Sequence, residues 1–212
     1  MGSTSGYAML PAGTALATAL LFGGCATPVP KGDFTPPPIG SAWTNQQHNS
    51  GSYGTTSSQV TTKRGEQTWE GQRVIAYETG SATQLSRDNG KIVAFLNNGK
   101  PVASINPELG YQFPLVVGKS MTTIHHLAVP GKAEPTRIQV IQKVEAYEDV
   151  TVPAGTFKAF RISWSESIGN ENTYWYSPQL GITIKSILTR TDKFSAGPGR
   201  RVSELVSVPM KQ

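Results

Sequence analysis

Few side chains in this sequence are placed to do chemistry, and each admits a plain reading. The one cysteine is Cys25, between an apolar stretch and a proline-rich one. Alone it cannot close an internal disulfide, and nothing around it suggests a base that would make it a nucleophile. Of the three histidines, His48 sits in a polar run and His125 and His126 are adjacent in a stretch that reads as a strand. Neighbouring strand residues point to opposite faces, so that pair cannot grip one metal ion from one face. Glu145, Glu148 and Asp149 invite a general acid/base reading. Alternation puts Glu145 and Asp149 on one face and Glu148 on the other, across a break expected at residues 146–148, and charge guarding a strand end is the preferred view. Zinc-protease helix motifs, a nucleophile elbow, a phosphate-cradling glycine loop and a dinucleotide fingerprint do not occur. The expectation is a protein that is not an enzyme and takes no cofactor and no metal.

The elements around Cys25 give it a different role. Residues 8–22 carry no charge and match the apolar core of an export signal; they are too short and interrupted to cross a membrane as a helix. Gly23 and Gly24 lead directly into Cys25. This resembles the lipobox of bacterial lipoproteins. The resemblance implies a signal peptide over residues 1–24 and Cys25 as the lipidated first residue of the mature chain, bearing acyl groups such as palmitate. With Ala26 next, it also implies retention at the periplasmic face of the outer membrane, in a host with two membranes. An incidental cysteine in a discarded leader is the alternative. Residues 25–42 then form a Pro-rich tether, which in polyproline geometry would span on the order of 50 Å at about 3.1 Å per residue.

Residues 43–212 are one domain's worth of chain. Hydrophobic residues make up 37% and charged residues 16% of the whole sequence, which does not mark disorder. Segments rich in Val, Ile, Thr and aromatics fall at 73–77, 92–96, 101–105, 121–129, 137–147, 157–165, 173–177, 182–190 and 201–208. Turn signals separate them, and Asn89-Gly90 and Asn98-Gly99 suit type I′ hairpins, whose two central residues need positive φ. Strands joined so tightly are antiparallel, and no stretch after Cys25 has a convincing helical period. Alternation in 157–165 turns Phe160, Ile162 and Trp164 inward, and in 182–190 it aligns Ile182, Ile184, Ser186 and Leu188. Tyr174-Trp175-Tyr176 puts aromatics on both faces, so the second face is either covered or offered to something.

Two motifs carry a family resemblance. One is Val152-Pro153-Ala154-Gly155-Thr156-Phe157 between two strands; the other is Trp175-Tyr176-Ser177-Pro178-Gln179-Leu180-Gly181. With Pro114-Leu115-Val116-Val117-Gly118-Lys119-Ser120 upstream, the chain resembles bacterial envelope proteins of the domain of unknown function 3108 group. The resemblance implies an all-β, single-domain fold: a strongly curved antiparallel meander, a half-barrel or open barrel akin to lipoprotein carriers, with no catalytic residues to transfer. The functional expectation is a non-enzymatic module binding an apolar ligand or an envelope partner. Phe160, Trp164, Tyr174, Trp175, Tyr176, Ile182 and Ile184 are the candidate surface. A structural or assembly role in an envelope complex is the alternative, and a hydrolase of unrecognised type is the least favoured. The net charge of +5 gathers in part on the last hairpin, at Lys185, Arg190, Lys193, Arg200 and Arg201, where a weak contact with envelope polyanions is plausible. Nucleic acid is not expected as a partner, because the basic residues are not interleaved with aromatics.

Overall fold

Short alternating segments that turn at glycines have one economical solution, which is to pair each strand with the next. The computed structural model describes residues 1–2 and 30–211; Cys25, the leader and the first part of the expected tether lie outside the described residues. The strands are β1 (Lys31–Gly32), β2 (Ser41–Gly51), β3 (Thr56–Trp69), β4 (Gln72–Thr79), β5 (Ala82–Ser86), β6 (Ile92–Asn97) and β7 (Lys100–Leu109). They continue as β8 (Leu115–Val116), β9 (Ser120–Ala128), β10 (Thr136–Val152), β11 (Gly155–Glu166), β12 (Asn170–Ser177), β13 (Ile182–Arg190) and β14 (Gly199–Lys211). Among the described residues there is no helix. From β2 to β14 each strand pairs antiparallel with its successor, except that β8 leaves the wall to pair with β1 and β7 pairs directly with β9.

The sheet does not stop at an edge. β14 pairs with β2 from Gly199↔Gly51 to Lys211↔Ser41 and closes a twelve-stranded barrel. This corrects the half-barrel or open barrel expected from the sequence. The missing wall is built from β2, β3 and β5. β2 reads Ser-Ala-Trp-Thr-Asn-Gln-Gln-His-Asn-Ser-Gly and is polar on both faces along most of its length, which leaves no period-two signal to find. The turns also divide. Asn98 and Gly99 have φ of 49° and 73°, as a type I′ hairpin requires, whereas at the other site only Gly90 is positive, at 80°. There the Gly90 N–H reaches Arg87 O at 2.9 Å and the Lys91 N–H donates to Asn89 Oδ1 at 2.9 Å, a tight turn followed by one left-handed glycine.

Phe160, Ile162 and Trp164 are buried as alternation demands, at 0%, 0% and 6% exposure. They pair across to Tyr176, Tyr174 and Asn172 on β12. The row in β13 is broken by a bulge opposite Trp175 and Tyr176. Ile182 and Ile184 therefore join Trp43, Val150, Val152 and Leu205 in one cluster, while Ser186 and Leu188 face a cavity with Thr183.

The last part of the stretch expected to be tether is built into the fold. β1 pairs with β8, Gly32 lies against the Phe160 ring, and Phe34 packs on Phe113 at 5.4 Å between centroids. A Cβ at Gly181 would overlap the Thr35 carbonyl, and its φ of +68° suits glycine. Gly181→Ala is expected to cost at least about 1 kcal/mol from the left-handed backbone alone and to release residues 31–38. Urea melts should show the loss, and chymotrypsin should cut after Phe34 in the variant well before it does in the wild type.

Candidate ligand-binding interior

The connection from β7 to β9 is where the interior is organised. Instead of running over the surface, it sends Tyr111, Phe113 and Leu115 inward. The Tyr111 ring meets Phe113, Trp164, Tyr174 and Tyr176 at centroid distances of 6.1, 6.2, 5.7 and 5.9 Å, all close to edge-on. That is the arrangement aromatic quadrupoles favour, and each such pair adds roughly 0.5–1.5 kcal/mol beyond its buried area. The Tyr111 hydroxyl lies 3.1 Å from Thr183 Oγ1, so its one polar atom has a partner.

Beside this aromatic box the barrel is not filled. One cavity of about 700 Å³ is lined by Phe34, Trp43, Tyr77, Phe95 and Tyr176, with Thr62, Thr79 and Gln84 among the polar groups. A second, of about 590 Å³, is lined by Tyr111, Trp164, Tyr174 and Leu188 on its apolar side and by Asn45, Ser186, Ser203, Glu166 and Arg201 on its polar side. Gln84, Gly90, Phe95 and Thr183 line both, so the two spaces meet at these residues. The Glu166 carboxylate is occupied on both oxygens, accepting from Trp164 Nε1–H at 2.8 Å and Asn170 Nδ2–H at 2.6 Å. Among the described lining residues no hydroxyl is hydrogen-bonded to a histidine, carboxylate or amine. The arrangement can hold a molecule with apolar and hydrogen-bonding parts.

The expected candidate residues separate on this geometry. Trp164, Tyr174 and Tyr176 line the cavities, and Ile182 touches the first. Phe160 and Ile184 are core, wholly buried, with Tyr147 stacked on Phe160 at 4.5 Å. Trp175 lies on the other face of β12, where its Nε1–H donates to Glu148 Oε1 at 2.9 Å and Lys185 Nζ stands 5.7 Å from the ring centroid. On that face Trp175 is half-buried, packed against the cluster containing Val150 and Val152. Tyr111, Trp43, Tyr77, Phe95 and Phe34 were not anticipated. The available signal was Leu109-Gly110-Tyr111-Gln112-Phe113-Pro114, two aromatics in a turn-rich connection where polar residues are usual.

The charged groups also settle into place. Glu145 sits in a bulge of β10 between Val144 and Ala146, which shifts the alternation. Glu145 and Glu148 consequently share Arg161, at 3.4 and 3.8 Å, instead of facing apart as expected, and Asp149 pairs with Lys158 at 2.8 Å. His126 is exposed, whereas His125 is buried with Nδ1 2.8 Å from Pro107 O and Nε2 2.7 Å from Thr123 Oγ1. A carbonyl only accepts, so Nδ1 carries a proton, and both ring nitrogens have a hydrogen-bond partner. On the last hairpin Lys185 is paired with Glu204 at 2.8 Å. Arg190 and Arg201 are stacked on Tyr53 at 3.8 and 4.7 Å, and Lys193 and Arg200 are exposed.

Burial holds the interior phenols neutral. Desolvation pushes Tyr77 and Tyr176 up to about 12 and holds Tyr111 and Tyr174 well above the ordinary phenol range. An unfolded tyrosine ionises near pH 10 while these stay protonated, so the folded state binds more protons above that pH and stability falls as pH rises. Unfolding free energy is expected to hold below pH 10 and then to drop by about 1.4 kcal/mol per pH unit for each such tyrosine. Ultraviolet titration of the folded protein should show a phenolate fraction that ionises only with unfolding.

No family model matches the chain, that of the domain of unknown function 3108 included, and no curated protein matches it. Three solved structures align with it. A protein described as a lipoprotein from Parabacteroides distasonis ATCC 8503 aligns at 12% identity and TM-score 0.43, over 84% of this chain and 98% of that one. An exported protein with a YmcC-like fold from Bacteroides fragilis NCTC 9343 aligns at 13% and 0.45, over 84% and 99%. The hypothetical lipoprotein YmcC from Escherichia coli K12 aligns at 10% and 0.41, over 82% and 88%. Scores at this level do not by themselves establish a common fold, and the architecture rests on the strand pairing above.

Proposed function

We propose that this chain is a lipid-anchored protein of the cell envelope, held at the periplasmic face of the outer membrane through Cys25, whose barrel is a non-catalytic binding module for an amphipathic ligand. The observation that carries the reading is the pair of adjoining pockets, about 700 and 590 Å³, that open to solvent from the interior of a closed barrel. Protein interiors are close-packed and leave few voids larger than a water molecule, whereas small-molecule sites occupy roughly 300–1,000 Å³. The mixed lining refines the expectation of a purely apolar ligand: aromatic faces alternate with threonine, serine and amide groups.

The docked segment bears on the anchor. With residues 31–38 fixed to the barrel, only residues 26–30 separate Cys25 from β1, a reach on the order of 20 Å at about 3.3 Å per residue. The barrel would ride close to the lipid surface, and a hydrophobic solute leaving the membrane would have a short path to it. The assembly reading relied on exposed strand edges. β2 and β14 pair with each other along most of their length, so that reading loses its physical basis in the barrel wall.

Native mass spectrometry of the full chain, purified without denaturant, tests the proposal. The expected result is a non-covalent adduct of amphipathic character, absent from Gln84→Trp, which fills the junction of the two cavities, while circular dichroism shows the same β-fold in both. A bare wild-type barrel that takes up no apolar or amphipathic solute would contradict it.

A further inference from the structure

At one end of the second cavity two arginines share a single aromatic ring. Arg190 Cζ lies 3.8 Å and Arg201 Cζ 4.7 Å from the centroid of Tyr53, and Phe194 stacks on Arg190 at 4.5 Å. The pairing of β13 with β14 explains the proximity: Leu188 opposes Arg201 and Arg190 opposes Gly199. Among the described residues neither arginine has a carboxylate within salt-bridge distance, and residues 3–29 contain no Asp or Glu. Two like charges, partly withdrawn from water and unneutralised, repel each other; partly buried cations normally acquire a partner.

Their remaining contacts leave room for one. Arg190 donates to Ser52 O at 3.1 Å, and its Nε is buried with no acceptor. Arg201 uses Nε on Asn49 Oδ1 at 2.7 Å, and no other hydrogen bond is made by its guanidinium among the described residues. Arg201 lines the second cavity together with Ser203, Trp164, Tyr174 and Leu188. Glu166, the carboxylate in the same lining, takes its hydrogen bonds from Trp164 and Asn170 and lies beyond salt-bridge distance of Arg201. Burial lowers the Arg201 pKa, with Tyr53 opposing the shift and Arg190 adding a smaller part to it.

We infer that Arg201, backed by Arg190 and Tyr53, is the headgroup site of the barrel, and that the ligand is an amphiphile with a single anionic head whose apolar body lies against Trp164, Tyr174 and Leu188. The inference rests on the interior-cavity reading above and narrows its ligand class. A planar guanidinium gives paired donors suited to a carboxylate, sulfonate or phosphate oxygen pair. The surrounding low dielectric strengthens the contact.

Two fluorescent probes with one apolar body separate the claims: anilinonaphthalene sulfonate, which is anionic, and N-phenylnaphthylamine, which is neutral. Both are titrated into the mature chain, residues 25–212 carrying Cys25→Ala, which lacks the apolar leader and the lipid. The expected result is that Arg201→Gln weakens the sulfonate by about tenfold or more and leaves the neutral probe within about twofold, while Arg201→Lys recovers part of the loss. Equal weakening of both probes, or no change for the sulfonate, overturns the headgroup site and leaves the cavity standing. Failure of both probes to bind the parent chain overturns the cavity reading itself. Should Arg201→Gln not fold, the parent's sulfonate affinity decides: it is expected to fall with added salt, and a salt-independent affinity contradicts the proposal.

Discussion

The constraint on which everything else depends is the pairing of the last strand with the first long one. A twelve-stranded sheet with free ends would expose two rows of unpaired amides and would have no inside. By joining β14 to β2 the chain satisfies both edges at once. Closure also decides which side chains are interior, because the side-chain period is two and one register step would turn every face over. The register shifts in β14 near Leu205 and Ser207 let the strand bend enough to meet its partner.

Closure alone would give a hollow barrel, and the β7–β9 connection decides how much of the hollow is filled. Tyr111 binds the aromatic rings of β11 and β12 into one packed region, and Phe34 and Phe113 extend it toward the docked N-terminal segment. The rest of the interior mixes aromatic and aliphatic faces with threonines, amides and single charges and is left unfilled. Aromatic packing holds the wall in shape, and the unfilled remainder is where a ligand can be held. Neutral phenols and an already occupied Glu166 fit that division, since they offer surfaces and hydrogen bonds without supplying a proton acceptor.

Much of the wall was legible in the sequence, and the reasons are local. Phe160, Ile162 and Trp164 alternate cleanly with Arg161 and Ser163 because β11 is half-buried and regular. Asn98-Gly99 names its own turn because only such residues accept two positive φ angles. What stayed hidden depends on distant partners. A bulge such as that at Glu145 or opposite Trp175 leaves no mark in the residues that form it, yet it put Glu148 beside Glu145 and turned Thr183 to the cavity side. β2 carries glutamine and asparagine where a one-sided strand would show apolar residues, so nothing in the sequence spoke against the open barrel that the family resemblance implied. Prolines at residues 36–38 suggested a free tether, and only the fit of Gly32 against Phe160 and of Thr35 against Gly181 shows that the segment docks. Of the candidate site, the β12 aromatics were visible; Tyr111, Trp43 and Phe95 depend on tertiary placement.

Amide hydrogen exchange along β2 and β14 tests the closed barrel most directly. Closure predicts that consecutive amides of β2, from Gln46 to Asn49, and of β14, from Arg201 to Glu204, are protected alike, whichever neighbour they bond to, to the level of Val144 and Ile162 in the middle of the wall. If every second amide of β2 and β14 exchanges within seconds, as on a free edge, the sheet is open, and the enclosed interior with its binding role does not exist.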